Sequence, residues 1–300
     1  LTFLESHPVA NQASQGGVGF TNGPVLMVHA YGHTYTNGTC ACGDVGYTYD
    51  TAANSYAVYK AGAMQAAIDA AEVSGTTENP AIIKLMANLD LPGVALDLND
   101  PDDKAYGVLI DAGVMSIDLN GFTLSNSDAY ATIQIGTGSD VSCSAVVTIM
   151  DSSAQGNGAV ISDERGNRAI RNECGTLFIN SGTIKAEGSA DANGVRNTNG
   201  KVTVNGGKIY ASTTSTTYKA SGIYSQGGNN PSLTVNGGEI SDNGTGGYGI
   251  YAKTGAVTIK DGTIAGGKYA LSIDSRVTAS IIGGRFTGSV LTYTDGLRFL

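Results

Sequence analysis

An apolar-Thr-apolar triplet, closed by Asn or Asp with Gly and then by another apolar residue, recurs down the second half of the chain. It reads Val202-Thr203-Val204-Asn205-Gly206-Gly207-Lys208-Ile209, then Leu233-Thr234-Val235-Asn236-Gly237-Gly238-Glu239-Ile240, then Val257-Thr258-Ile259-Lys260-Asp261-Gly262-Thr263-Ile264. Alternation of this kind predicts half-buried strands, with Val202 and Val204 facing in and Thr203 facing out. Earlier copies are Leu177-Phe178-Ile179-Asn180-Ser181-Gly182-Thr183-Ile184 and Ile117-Asp118-Leu119-Asn120-Gly121-Phe122-Thr123-Leu124. Val147-Thr148-Ile149 and Ser280-Ile281 with Gly283-Gly284-Arg285-Phe286 are degenerate members. The triplets close at positions 119, 149, 179, 204, 235, 259 and 281, so the unit length varies from 22 to 31 residues.

Each phrase is followed by a further short strand, such as Ala169-Ile170-Arg171, Gly194-Val195-Arg196, Gly222-Ile223-Tyr224 and Gly249-Ile250-Tyr251. These units are too short for β-α-β crossovers, which need about 30 residues with a full helix. They are also shorter than propeller blades, at about 40–45 residues. Units with two or three strands each fit an all-β fold, a single-stranded right-handed parallel β-helix. Asn120, Asn180, Asn205 and Asn236 occupy one place in the phrase, which predicts a ladder of stacked amides. The glycines beside them supply the left-handed turn between strands.

Ahead of the repeats, residues 61–73 combine high helix propensity with an apolar side at Met64, Ala67, Ile68 and Ala71. An open end of a β-helix exposes core side chains, so this segment is expected to be an N-terminal capping helix. Pro80 to Leu89 then reads as the first strand. The division expected is an irregular segment over residues 1–58 and a parallel β-helix over 59–300. The C-terminal end shows no comparable plug, and the chain is expected to be part of a longer protein.

On these phrases the chain resembles right-handed parallel β-helices of the pectin-lyase-like class. The Asn-Gly-Gly-x-Ile phrases of residues 205–209 and 236–240 resemble repeat regions of large cell-surface proteins of Gram-positive gut anaerobes. The resemblance implies an extracellular or cell-surface location. It implies no single activity, because that class hosts lyases, hydrolases, adhesins and passive stalks.

Composition narrows the functions. Gly contributes 43 of the 300 residues and charged residues only 14%, while 41% hydrophobic residues are enough for a core. A helical bundle is excluded by that composition. The net charge of −9 repels phosphate backbones, which excludes nucleic acid as a partner. No apolar run reaches the ~18 residues that span a bilayer, so no membrane insertion is expected.

Four side chains near the start, His29, His33, Cys40 and Cys42, offer nitrogen and thiolate ligands within fourteen residues and suggest a structural Zn²⁺ site. The string from His33 to Gly43 resembles a short His/Cys motif near the start of such surface proteins, with one residue between the cysteines here rather than two. The alternative is an irregular segment with thiols or a local disulfide. Cys143 and Cys174 fall at nearly the same place on neighbouring repeats and are either bonded or two buried thiols. Asp97-Leu98-Asn99-Asp100-Pro101-Asp102-Asp103 is rich in oxygen ligands, but it lacks the EF-hand spacing. A solvated turn suits it better than calcium.

The outward residues of the further strands are Arg171, Arg196, Tyr224 and Tyr251. If successive repeats align, they form a stripe of two guanidiniums and two rings. Stacked like charges call for an anion, supplied either by Glu173 or Asp191 or by a ligand. Rings pack on sugar faces and Arg holds carboxylates bidentately, which points to an acidic polysaccharide or a host or cell-wall glycan. An ordinary solvated sheet face is the competing reading. The Thr148, Thr203, Thr234 and Thr258 column is broken by Phe178 and reads as ordinary exposed sheet.

An acid–base hydrolase would need His among the repeats, and His7, His29 and His33 all precede them. The one dense acid–base group in the repeats is Asp163, Glu164, Arg165, Arg168 and Arg171, which suits a polar turn with weak ion pairs. The sequence therefore favours a non-enzymatic secreted or cell-surface module, structural or adhesive, that binds acidic glycans. The alternative is a calcium-dependent polysaccharide lyase.

Overall fold

The structure, a computed structural model, describes residues 6–9, 25–28, 35–40, 43–97, 100–137, 143–163, 168–244, 246–292 and 298–299. Alternation along the strands sets its architecture. Val147 and Ile149, Leu177 and Ile179, and Val202 and Val204 are fully buried, while Thr148, Phe178 and Thr203 between them are partly exposed. Burying one face of every strand requires something to pack on it, and the next rows of the same repeat supply it.

Three rows of strands result. The first contains Val114–Asp118, Val146–Met150, Thr176–Ile179, Lys201–Val204, Ser232–Val235, Gly255–Ile259 and Val277–Ile281, within an 11-stranded sheet among the described residues. The second contains Thr123–Asn126, Ala159–Ser162, Thr183–Gly188, Lys208–Thr213 and Glu239–Asp242. The third contains Ala131–Ile135, Arg168–Asn172, Asn193–Asn197, Ser221–Ser225 and Tyr248–Ala252. The long strand Thr263–Ile273 belongs to both the second and third rows and joins them into one sheet, 14-stranded among the described residues. Successive repeats pair in parallel in all three rows. The fold is all-β with long, stacked parallel sheets, compatible with a β-helix-like solenoid.

Registers stack identical positions. One inward column runs Ile117, Ile149, Ile179, Val204, Val235, Ile259 and Ile281. The outward column beside it runs Ser116, Thr148, Phe178, Thr203, Thr234, Thr258 and Ser280. The Asn-Gly-Gly phrase turns the chain from the first row into the second. Gly207 sits there at φ +79°, where a Cβ would also meet the Gly182 carbonyl oxygen at 2.7 Å.

The earliest repeat departs from the phrase alignment. Ile117, not Leu119, shares the column of Ile149, so Asn120 lies two places beyond the ladder position. The corner there is longer because a buried carboxylate organises it. Asp118 Oδ1 accepts the backbone N–H of Asn120 at 3.0 Å and of Ser152 at 2.9 Å. Asn120 instead donates its side-chain amide to the Leu85 carbonyl at 2.9 Å. The amide ladder is thus Asn180, Asn205 and Asn236, each step 2.8 Å.

A second set of amides is buried between the third row and the next first-row strand. Asn172 donates to the Gly175 carbonyl at 3.0 Å and accepts the Gly175 N–H at 2.9 Å. Asn197, directly above it, donates to the Gly200 carbonyl at 3.0 Å and the Ser232 carbonyl at 3.2 Å. These side chains satisfy backbone groups that a tight corner leaves unpaired. Cys143 and Cys174 form a disulfide linking neighbouring repeats, with a Cα–Cα distance of 5.6 Å.

At the other end the strands Tyr47–Asp50 and Ser55–Val58 pair antiparallel, and Ser55–Val58 adds in parallel to Ala81–Leu85. The 3-10 turn Ala61–Ala63 leads into helix α1, Met64–Ser74, which buries Met64, Ala67, Ile68 and Ala71. Helix α1 packs across Ala81–Leu85, Val108–Ile110 and Val114–Asp118. Gln65 Oε1 accepts the Leu109 N–H and Gln65 Nε2 donates to the Leu109 carbonyl, both at 2.9 Å. Gln65 thereby satisfies an edge that a preceding strand would otherwise pair. No helix among the described residues is long and apolar enough to cross a membrane.

Candidate functional site

The third row carries the cationic and aromatic residues. Val195, Ile223 and Ile250 point inward and are fully buried, which turns the residue after each of them outward. The parallel register places Gln134, Arg171, Arg196, Tyr224, Tyr251 and Ser272 in one column. The four residues expected from the sequence to form a stripe are therefore consecutive neighbours. A second column starts three residues earlier and runs Arg168, Asn193, Ser221, Tyr248 and Tyr269.

The rings and cations interlock. The Arg196 guanidinium lies over the Tyr224 ring at 5.3 Å from its centroid. Tyr224 meets Tyr251 edge-on at 5.4 Å, and Tyr248 stacks on Tyr251 at 4.7 Å and on Tyr269 at 5.8 Å. The Lys253 ammonium sits over Tyr224 and Tyr251, at 5.6 and 5.4 Å from their centroids. The hydrogen-bonded Tyr224 hydroxyl holds that ammonium above its ordinary pKa, while burial pushes the Tyr251 phenol up. Tyr224 in turn donates its hydroxyl to Gln226 Oε1.

Arg196, Tyr224, Tyr248, Tyr251 and Lys253 line a cavity of about 210 Å³ together with Asp191 and Lys219. The Lys219 backbone N–H donates to Asp191 Oδ1 at 3.0 Å, which ties two corners together at its mouth. Sequence reasoning missed Tyr248, Lys219 and Lys253 as members of the site. Tyr248 was detectable as the residue three before Tyr251 with Tyr269 in the same phase. Lys219 and Lys253 stand at strand ends, outside the repeated phrase.

Arg171 differs from the rest of the stripe. It ion-pairs through Nε with Glu173, whose side chain is almost completely buried, and Thr198 donates its hydroxyl to the same carboxylate at 3.1 Å. Glu173 is thus the local anion for Arg171. Arg196 has no ion-pair partner among the described residues, and its guanidinium rests on the Tyr224 ring instead. Arg168, at the start of the same row, is lowered to about 10 by burial and then by the neighbouring Arg196 and Arg171 charges. Its Nε is buried with no hydrogen-bond partner among the described residues. Three guanidiniums crowded on one face of a chain with net charge −9 make a local inversion of charge.

The other candidates resolve only in part. Of the proposed zinc ligands, Cys40 is buried in the small strand pair Tyr35–Thr36 and Thr39–Cys40. His29, His33 and Cys42 lie outside the described residues. The Asp97 to Asp103 segment runs through the antiparallel strands Val94–Asp97 and Asp100–Tyr106, and its side chains lie outside the described residues. Asp163 lines an open hollow with Lys185 and Glu187, which pair with each other at 2.6 Å, while Glu164 and Arg165 lie outside the described residues. Among the described residues no three His, Cys, Asp or Glu side chains gather as a metal site. No family model, curated protein or solved structure matches this chain.

Proposed function

We propose that the chain is a non-enzymatic module of a secreted or cell-surface protein, a right-handed parallel β-helix of the pectin-lyase-like class that binds acidic glycans. Right-handed connection is the rule for parallel strands joined within one sheet system, which supports the handedness. The seating of helix α1 on the first strands, with Gln65 bonded to Leu109, supports its role as the N-terminal cap. The Cys143–Cys174 bond supports an oxidising, extracellular compartment.

The observation that carries the binding reading is the cavity between Arg196, Tyr224, Tyr251 and Lys253. Aromatic faces offer C–H packing to a sugar ring, and the part-exposed Arg196 and Lys253 cations offer a carboxylate charge-assisted hydrogen bonds. Arg171, bound to Glu173, orders the face without contacting the glycan.

Retention of the purified chain on immobilised polygalacturonate tests the reading. Wild type is expected to be retained at low salt and released as salt screens the cations. Arg196→Ala with Lys253→Ala is expected to flow through while melting at the same temperature. Equal retention of wild type and the double variant overturns the proposal.

A further inference from the structure

The cavity holds opposite charges that do not meet. Arg196, Lys219 and Lys253 line it, and so does the carboxylate of Asp191, yet among the described residues Asp191 ion-pairs with none of the three. Asp191 Oδ1 is occupied by the Lys219 backbone N–H, which fixes the side chain at the rim and leaves Oδ2 for a further donor. An ionised carboxylate is an acceptor on every side. Asp191 is exposed at the rim, and its charge also reaches Arg168. A site built only to attract negative charge is weakened by a carboxylate held at its rim, because like charges disfavour each other.

We infer that Asp191 is a specificity-determining residue, which makes the cavity select carboxylated sugars and reject sulfated or phosphorylated ones. The inference rests on the glycan-binding reading above. A uronate carries one carboxylate on one side of its ring and hydroxyl donors on the other. Its carboxylate goes to Arg196 and Lys253, its ring lies against Tyr251, and its hydroxyls donate to Asp191. A sugar sulfated at several positions turns an anion toward Asp191 in every orientation and offers fewer hydroxyl donors. Selection thus comes from one repulsive contact and one hydrogen bond lost together.

Titration calorimetry of the intact chain with oligogalacturonate and with dextran sulfate of equal length tests this, using wild type and Asp191→Asn. The amide keeps an oxygen for the Lys219 N–H, so the fold is retained, and the melting temperature checks that. Wild type is expected to bind the uronate about tenfold more tightly than the sulfated chain, the range of one charged hydrogen bond. Asp191→Asn is expected to weaken uronate binding and to strengthen binding of dextran sulfate. An affinity ratio that is the same in wild type and variant overturns the role of Asp191 and leaves glycan binding standing. Failure of wild type to bind either ligand overturns the glycan reading itself.

Discussion

Asn236 donates its side-chain amide to Asn205 Oδ1 at 2.8 Å although 31 residues separate them. Asn205 repeats the bond to Asn180, so three exposed amides form a short ladder over one corner. An exposed ladder competes with water for every bond, whereas the buried amides of Asn172 and Asn197 have no such alternative.

The two sets of amides therefore differ in worth. Asn197→Ala leaves the Gly200 and Ser232 carbonyls without their side-chain donor in the interior, and a loss of about 1–3 kcal/mol is expected. Asn205→Ala is expected to cost under about 0.5 kcal/mol, as surface substitutions do. Urea unfolding of both variants checks the contrast, and equal costs would contradict it.

Column register gives a sharper contrast between adjacent residues. Val204 is fully buried between Ile179 and Val235, while Thr203 beside it faces out. Val204→Asp buries a carboxylate and is expected to lose about 3 kcal/mol or more. Thr203→Asp is expected to cost well under half of that. Thermal melts of the pair measure it.

The disulfide closes a loop over a sequence separation of 31 residues. In the chain-entropy account a loop of that length contributes about 3–4 kcal/mol by restricting the unfolded chain. Replacing both Cys143 and Cys174 by Ser is expected to lower stability toward that amount. Reducing agent should then shift the wild-type midpoint and leave the double variant unchanged.

Glu72 links helix α1 to the start of the repeats through its Oε1, which accepts the N–H of Asp111 at 2.6 Å and of Ala112 at 3.3 Å. Burial raises its pKa, those two bonds oppose the rise, and Asp69 and Asp111 add to it. A carboxyl raised in the fold favours the folded state below its unfolded pKa, and that contribution is lost as pH climbs through the folded value. Glu72→Gln keeps the acceptor and removes the charge. It is expected to stabilise at neutral pH by under about 1 kcal/mol after solvent screening, with the gain vanishing in acid. Denaturation at pH 7 and near pH 3.5 compares them.

Much of this arrangement was readable from the sequence because the phrase is short and its alternation strict. Thr148, Thr203, Thr234 and Thr258 stand in one column with Phe178, as their phase predicts. Arg171, Arg196, Tyr224 and Tyr251 stand in another. The turn inside the phrase was readable too: Val204 and Ile209 belong to different rows, and the Asn-Gly-Gly between them is the corner, with Gly207 at φ +79°. Phase failed at Asn120, where Asp118 makes a longer corner that the letters Asn-Gly imitate. The commitment of Arg171 to Glu173 was one of two open alternatives, because spacing cannot say which anion a guanidinium chooses. Lys219, Lys253 and the cavity beside them depend on corner lengths that no periodicity encodes.

Among the described residues one covalent tie joins neighbouring repeats, and it has a mechanical meaning. Hydrogen bonds between successive repeats point along the stack, so a pull in that direction peels the molecule open strand by strand, like a zipper. The Cys143–Cys174 link is a rivet in that zipper. A stretched chain would withhold the 31-residue span between the sulfurs, roughly 100 Å of length that tension cannot recover until the link is reduced.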